Sequence, residues 1–187
     1  MMTYKAIVIG GSAGSFQVVT KILSALPQQL NVPVFLSLHR LKHVRSGFLE
    51  ALSLKSNLPV IEPNDKDQIK PGRAYLAPAN YHLYIEMGNR IALSTEEAIH
   101  HSRPSIDLSF ITAAQAYREK LIGIILSGAN SDGAMGLKKV KEYNGLTIVQ
   151  DPAECQVPTM TEASMKLTQV DHVFKTDQIV QFLLNLK

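Results

Sequence analysis

The stretch AIVIGGSAG, residues 6–14, decides the fold of this chain. Its first four residues are apolar, three of them β-branched, and small residues follow at once, which predicts a buried strand that turns sharply into a helix. The spacing Gly10-x-Ser12-x-Gly14 is that of a nucleophile elbow, in which a serine hydroxyl is exposed at the carboxyl end of a strand. A serine alone is a poor nucleophile, so the rest of the chain must supply a base and a group that orients the base.

Length and composition indicate a single globular domain, 1–187. Of the 187 residues, 45% are hydrophobic, which is enough to bury a core without disulfides. The formal charge of +3 is too small to indicate nucleic-acid binding, and the single cysteine, Cys155, argues against a disulfide or a cysteine-based zinc site. The first predicted strand begins too soon to leave room for a signal peptide, and no apolar run has membrane-spanning length. We therefore expect a cytoplasmic protein that is not an integral membrane protein.

Helical and strand patterns alternate along the chain, which favours an α/β fold with a mainly parallel sheet. Apolar segments predict further strands at 33–38, 60–61, 121–126, 146–149 and 170–174. Helices are predicted at 16–26, 46–54, 104–118, 133–143, 159–167 and 177–186. The short alternating segments 74–77, 82–86 and 90–93 are separated by turn residues and predict an antiparallel insert of hairpins.

Three polar residues, Ser12, His39 and Asp132, come just after predicted parallel strands. Groups beyond the carboxyl ends of the strands in an open α/β sheet converge on one crevice, which is the usual ligand site of such folds. A serine, an imidazole and a carboxylate there supply a nucleophile, a general base and a group that fixes the tautomer of the base. The sequence therefore predicts a catalytic triad.

Each member of this triad also has a structural interpretation when it is taken singly. The elbow spacing is met in tight turns that have no catalytic role. His39 alone suits a hydrogen-bonded histidine at a strand end, and Asp132 alone suits an N-cap of the helix that follows it. The joint placement of all three after core strands favours catalysis.

Two other chemistries match the sequence less well. The dinucleotide-binding fingerprint Gly-x-Gly-x-x-Gly requires glycine where this chain has Ser12, and an acidic residue about 20 positions later, where this chain has His39. The adjacent His100 and His101 point apart in any regular backbone, and no third metal ligand is evident. We expect neither a metal nor an organic cofactor.

Six ordered motifs resemble the catalytic domain of the protein-glutamate methylesterase family, the CheB-type enzymes of bacterial chemotaxis and signal transduction. They are IGGSAG at 9–14, His39 at a strand end, PGRAYLAP at 71–78, RPSID at 103–107, LSGANSDGA at 126–134 and QDP at 150–152. The resemblance covers nearly the whole chain, from Ile7 to Phe174. It implies a doubly wound, mainly parallel sheet with flanking helices and an antiparallel hairpin insert.

The resemblance also implies an activity. Enzymes of this family are hydrolases that remove methyl esters from receptor glutamates and can deamidate certain receptor glutamines, without a cofactor. Their triad falls on Ser12, His39 and Asp132, and the substrate is a methylated receptor or related signalling protein. The candidate oxyanion-hole donors are backbone N–H groups at Ala13, Ala129 and Asn130.

Three side chains are candidates for substrate binding, because they lie on the insert or on the polar loop after it and are expected to border the crevice. They are Arg73, His82 and Arg103. For Arg103, which lies just before a predicted helix, a structural role in which loop carbonyls hold the guanidinium is an equal alternative.

Two departures from the family pattern bear on regulation and on substrate. Chemotaxis methylesterases usually carry an N-terminal receiver domain, whereas this chain begins at the first strand of the catalytic domain. We therefore expect control by a separate regulatory protein, by expression or by substrate supply. Gly128-Ala129-Asn130 stands where Gly-Met-Gly is usual, and Ala13 where threonine is usual, which leaves open the kind of receptor. The alternative function is a non-catalytic signalling or adaptor domain that retains the methylesterase fold.

Overall fold

A computed structural model describes residues 4–40, 47–99 and 101–186. Within these ranges, seven strands form one parallel sheet. In their order across the sheet they are β3 (Val60–Ile61), β4 (Ala74–Leu76), β2 (Val34–Leu38), β1 (Ala6–Gly11), β7 (Leu121–Ile125), β8 (Leu146–Gln150) and β9 (His172–Phe174). Two further strands, β5 (His82–Glu86) and β6 (Arg90–Ser94), pair in antiparallel fashion as a separate hairpin.

Helices cover both faces of the sheet. They are α1 (Phe16–Ala25), α2 (Phe48–Lys55), α3 (Ile106–Tyr117), α4 (Ala134–Glu142), α5 (Thr159–Leu167) and α6 (Thr176–Leu184). The first helix packs against α2 and α6 on one face, while α3, α4 and α5 pack in succession on the other. The family fold implied by the sequence, a parallel sheet between two helical layers with an antiparallel hairpin insert, is confirmed.

Strand β1 lies at the centre of the sheet and shows why its sequence is a continuous apolar run. Ile7 and Ile9 face the core beneath α1 and α6, whereas Ala6 and Val8 face the core beneath α3. All six residues of the strand are buried. A strand covered on both faces has no solvent-facing positions, so its sequence does not alternate.

The chain reverses its direction of winding at β1, and this reversal creates the crevice. From β1 the chain passes to β2 on one side, and β7 later pairs with β1 on the other side. At such a switch point the loops after neighbouring strands separate and leave a crevice beyond their carboxyl ends. Ser12, His39 and the loop 126–133 all lie at this edge of the sheet.

One prediction about the middle of the chain was wrong. The segment 74–77 was expected to belong to an antiparallel insert, but Ala74–Leu76 is β4, a parallel strand of the main sheet between β2 and β3. All three residues of β4 are buried, and a segment this short carries no alternation by which its partners could be recognised. The helix predicted at 46–54 begins at Phe48, and Ser46 itself lies outside the described residues.

The close approach of α3 to α4 depends on Gly136, and we expect Gly136→Ala to destabilise the fold. A Cβ at this position would lie 2.5 Å from Phe110 Cβ and 3.1 Å from the backbone of Asp107. Overpacking should lower the free energy of unfolding by about 1–3 kcal/mol in urea titrations. The matched control is Gly88→Ala, whose Cβ would meet nothing within 4 Å. A gain of about 1 kcal/mol for Gly136→Ala, as helix propensity alone predicts, would contradict this packing.

Candidate active site

Ser12 follows β1 at the start of a tight turn. The backbone N–H and the hydroxyl of Ser15 both donate to the Ser12 carbonyl, at 3.1 Å and 2.7 Å. Gly14, the third residue of the turn, has a φ of +82°, which favours glycine there. The Ser12 side chain is half-buried where the strand ends. The elbow predicted from the sequence is present.

Ser127, at the end of β7, fixes this turn from the neighbouring strand. Its carbonyl accepts the N–H of Ser12 at 2.9 Å, and its hydroxyl donates to the Ala13 carbonyl at 2.7 Å. The same hydroxyl accepts the N–H of Val157 at 3.0 Å, and the Ser127 N–H donates to the Gln150 side chain at 3.0 Å. Ser127 therefore holds the elbow in place and is itself held by two further segments of the chain.

His39 follows β2 and lies beside the elbow. Its backbone N–H donates to the Gly11 carbonyl at 3.0 Å, so His39 and Ser12 leave adjacent strands at the same level. The imidazole Nε2 lies 2.7 Å from Asp132 Oδ2, with the His39 side chain 10% exposed and the Asp132 side chain fully buried. Two of the three predicted triad members are thus hydrogen-bonded to each other.

The Asp132 carboxylate accepts four hydrogen bonds. Besides His39, the donors are the backbone N–H groups of Ile106 and Asp107, at 2.8 Å and 2.9 Å, and the Ser105 hydroxyl at 3.2 Å. Burial raises the pKa of the Asp132 carboxyl, but the hydrogen bonds from His39 and the two backbone groups outweigh burial and lower that pKa below its ordinary value of 3.8. Asp132 is therefore a carboxylate at neutral pH.

Asp132 and Asp107 cap each other's helices. Asp132 lies just before α4 but accepts the free N–H groups of α3, whereas Asp107, in the first turn of α3, accepts the N–H groups of Gly133 and Gly136 at 2.9 Å and 2.7 Å. The interpretation of Asp132 as a cap of the helix that follows it was therefore wrong. A negative charge is stabilised by the N-terminal end of a helix dipole, so both carboxylates are placed favourably.

The Asp132 contact determines which imidazole nitrogen can act as a base. A carboxylate only accepts hydrogen bonds, so neutral His39 carries its proton on Nε2 and Nδ1 is the free acceptor. Within the described ranges the Ser12 hydroxyl has no hydrogen-bond partner. The predicted hydrogen-bonded chain is thus present between His39 and Asp132 and absent between Ser12 and His39. Catalytic hydrogen bonds to a nucleophile commonly tighten only when substrate binds.

The candidate oxyanion donors differ in availability. The N–H groups of Ala13, Ala129 and Asn130 make no hydrogen bond to any described residue. The N–H of Gly128 donates to the Val157 carbonyl at 3.0 Å, so Gly128 cannot serve. The side chain of Asn130 accepts the N–H of Asp132 at 3.1 Å, which ties this loop to the carboxylate.

Comparison with known proteins agrees with this arrangement. The CheB methylesterase family model matches residues 7–183. The chain belongs to the CheB methylesterase family. It is 42% identical to a putative protein-glutamate methylesterase/protein-glutamine glutaminase of Leptospira interrogans, over 99% of this chain and 96% of the relative.

Other relatives are longer than this chain. The protein-glutamate methylesterase/protein-glutamine glutaminase of Clostridium acetobutylicum is 29% identical over 97% of this chain, which spans 53% of that relative. The crystal structure of the CheB methylesterase catalytic domain of Thermotoga maritima superposes with a TM-score of 0.92 at 30% identity, covering 99% of this chain and all of the other.

Two of the three candidates for substrate binding do not reach the crevice of this CheB-family domain. Arg73 directly precedes β4, and its carbonyl accepts the N–H of Val34 at the start of β2, so Arg73 lies at the amino-terminal edge of the sheet. His82 is fully buried, accepting the Ser105 N–H at Nδ1 and hydrogen-bonding the Glu97 carbonyl through Nε2. Both expected positions were wrong.

Arg103 is held by loop carbonyls, as the structural alternative predicted. Its Nη1 donates to the carbonyls of Thr95 and Glu96 at 2.5 Å and 2.8 Å. Arg103 also lines a cleft that Arg40 shares. Arg40 was not among the predicted site residues, although it directly follows His39, and that adjacency was the available signal.

Further findings concern metals and membranes. In the part of the chain that the structure describes, no group of three or more His, Cys, Asp or Glu side chains could hold a metal ion, and His100 lies outside that part. None of the helices in the same part is long and apolar enough to cross a membrane.

The lowered pKa of Asp132 makes stability depend on pH, and Asp132→Asn tests this. Because the native pKa lies below the unfolded value, the stabilisation is complete above about pH 4 and is lost as the pH falls through the native pKa. We expect Asp132→Asn to lower the free energy of unfolding by about 1–3 kcal/mol at neutral pH in urea titrations. The difference in this free energy between the variant and the unsubstituted protein should become smaller in acid.

The control for this experiment is Asp177→Asn, which removes an exposed ion pair with Lys21. Its effect should be small at neutral pH. A difference between Asp132→Asn and the unsubstituted protein that stays constant from neutral to acid pH would contradict the assignment.

Proposed function

We propose that this protein hydrolyses methyl esters of glutamate side chains in a methylated receptor or related signalling protein. The observation that carries the proposal is the buried hydrogen bond between His39 and Asp132, 2.7 Å long, beside a serine held on an elbow. The names of the relatives from Leptospira and Clostridium support the same chemistry. Those names also include glutaminase, and the same site suits deamidation of glutamine side chains.

In the first half of the proposed reaction, Ser12 Oγ attacks the γ-carbonyl carbon of the ester and His39 Nδ1 takes the hydroxyl proton. The imidazole then carries a positive charge, which the ionised Asp132 stabilises. Asp132 remains a carboxylate throughout, because four donors surround it and its pKa is lowered. It orients the base and does not take the proton.

In the second half, the tetrahedral intermediate collapses and methanol leaves with the proton from His39. Water then attacks the acyl-enzyme with His39 again as the base, and the glutamate carboxylate is released from Ser12. With a glutamine substrate, ammonia leaves in place of methanol. The N–H groups of Ala13, Ala129 and Asn130, which no described residue accepts, are the proposed donors to the oxyanion. A backbone donor does not depend on the side chain, so the alanine at 129 is compatible with this role.

Two substitutions test the proposed roles of the nucleophile and the base. Ser12→Ala removes the attacking oxygen and His39→Gln removes the base, so each should lower kcat for methanol release from a methylated receptor fragment by about 10⁴-fold or more. Circular dichroism and urea titration should show that both variants remain folded.

The matched control is Ser24→Ala, an exposed serine on α1 whose hydroxyl donates a hydrogen bond to the Lys21 carbonyl. Methanol release by this variant should match that of the unsubstituted protein. Retention of full activity by Ser12→Ala would show that another residue is the nucleophile. Absence of release even from the unsubstituted protein would favour the adaptor alternative.

A further inference from the structure

A cleft of about 500 Å³ contains two arginine side chains, one of which directly follows His39 in the sequence. We call it the arginine cleft. Arg40, Glu62 and Arg103 line it, together with Tyr81, Thr95 and the loop 78–80 after β4. No role has been assigned to this cleft in the reaction proposed above, and its chemistry differs from that of the triad because its charged groups are mainly cationic.

Arg40 is immobilised at the inner wall of the arginine cleft. Its side chain is only 3% exposed, and its Nη2 donates to the Ala77 carbonyl at 2.5 Å and to Glu62 Oε1 at 2.7 Å. The guanidinium carbon lies 5.2 Å from the ring centre of Phe48. Nε of Arg40 is buried, and it has no hydrogen-bond partner among the described residues.

Arg103 has two donor nitrogens without a partner among the described residues. The carbonyls of Thr95 and Glu96 occupy both hydrogens of Nη1, which fixes the plane of the guanidinium. The other two nitrogens, Nε and Nη2, point along one side of the guanidinium, and we call this pair of donors the fork. Neither has an acceptor within residues 4–40, 47–99 and 101–186, and Nε is buried. A planar fork of this kind matches the two oxygens of a carboxylate. A buried donor without a partner is unfavourable by about 1–3 kcal/mol, so an acceptor at the fork would be stabilising.

The charges of the arginine cleft are unbalanced. Among its described lining residues, two are cationic and one, Glu62, is anionic. Glu62 is already paired with Arg40, whereas the contacts of Arg103 are with neutral carbonyls. The carboxylate of Glu96 is engaged by the Tyr84 hydroxyl at 2.7 Å. One additional carboxylate would balance the charges of these described lining residues.

The arginine cleft is connected by sequence to both ends of the His39–Asp132 pair. Arg40 directly follows His39. Arg103 lies two residues before Ser105, whose hydroxyl donates to Asp132 at 3.2 Å. The cleft's lining residues Arg40 and Glu62 and the loop 78–80 follow the parallel strands β2, β3 and β4, so the cleft lies at the same edge of the sheet as Ser12. A polypeptide bound with its ester at Ser12 and extended along this edge would reach the cleft.

We propose that Arg103 and Arg40 bind an aspartate or glutamate side chain of the substrate protein that lies near the methylated glutamate. This inference rests on the proposed function. It makes the enzyme selective for methyl esters in acidic sequence surroundings, because Arg103 can donate two parallel hydrogen bonds to one carboxylate and Arg40 adds a second, desolvated positive charge. A neutral amide at the same place lacks the charge and offers one acceptor oxygen in place of two.

The test compares methyl-ester peptides that differ in one residue, aspartate against asparagine, scanned through the positions that flank the ester. Dissociation constants are measured with the Ser12→Ala protein, so that binding does not depend on turnover, and kcat/KM is measured with the unsubstituted protein. At one or more positions we expect the aspartate peptide to bind about tenfold more tightly or better, with a preference that weakens as salt is added.

Substitution of Arg103 should abolish this discrimination. In the Ser12→Ala background, Arg103→Gln should bring the ratio of the two dissociation constants close to one, and Arg103→Lys should restore only part of it, because lysine lacks the planar fork. The ratio does not depend on how much of the protein is folded, which separates recognition from stability. The matched control is Arg73→Gln, an arginine at the opposite edge of the sheet, which should keep the full preference.

The outcomes separate this inference from the proposed function. Equal binding of the aspartate and asparagine peptides at every position, or no binding of either, would overturn the inference even if methanol is released. A preference for aspartate that survives Arg103→Gln would also overturn it. A preference that Arg103→Gln abolishes, in a protein that releases no methanol, would uphold the carboxylate subsite and refute the esterase.

Discussion

The structure depends on one buried carboxylate, that of Asp132. It accepts the N–H groups at the start of α3, the hydroxyl of Ser105 and the imidazole of His39. A buried charge is tolerated only when it is hydrogen-bonded, and Asp132 is fully buried, so protein groups must supply its hydrogen bonds. The loop before α4, the start of α3 and the end of β2 must therefore meet at one point. Asp107, in the first turn of α3, caps the start of α4 in return, so the two helices are joined at this point from both sides.

The same constraint organises the chemistry. Because Asp132 accepts a hydrogen bond from the Nε2–H of His39, the other imidazole nitrogen, Nδ1, is left to act as the base. Ser12 reaches its place independently, through the contacts of Ser127 with the elbow. The proposed nucleophile and the proposed base are thus positioned by two separate hydrogen-bond networks on adjacent strands. The arginine cleft adds a third group of polar contacts, directed outward to the surroundings of the ester.

Much of this arrangement could be predicted from the sequence, because it follows from strand ends. The apolar run in β1 and the small residues after it predict the elbow, and the positions of His39 and Asp132 after strands predict their meeting. The resemblance to the CheB family supplied the doubly wound topology. The helix predicted at 104–118 corresponds to α3, and the Ser105 hydroxyl caps it by accepting the N–H of Leu108 at 3.4 Å.

The remaining features depend on contacts between segments distant in sequence. A strand of three residues, such as β4, carries too little sequence pattern to reveal its parallel partner. Arg73 directly precedes β4, so its place at the amino-terminal edge of the sheet could not be predicted either. His82 was expected to border the crevice as a polar residue of the insert, but it is fully buried and backbone groups of other segments bind both of its ring nitrogens. The exchange of caps between Asp107 and Asp132 likewise exists only once α3 and α4 are packed.

The central claim is that Ser12 is a nucleophile activated by His39, and covalent labelling tests it most directly. The measurement is the rate and site of modification by a serine-directed fluorophosphonate, followed by peptide mass spectrometry. A single phosphonyl group should appear on Ser12, and His39→Gln should slow its appearance on the order of 100-fold or more. Modification at another residue, or labelling of Ser12 at the same rate in His39→Gln, would contradict the account.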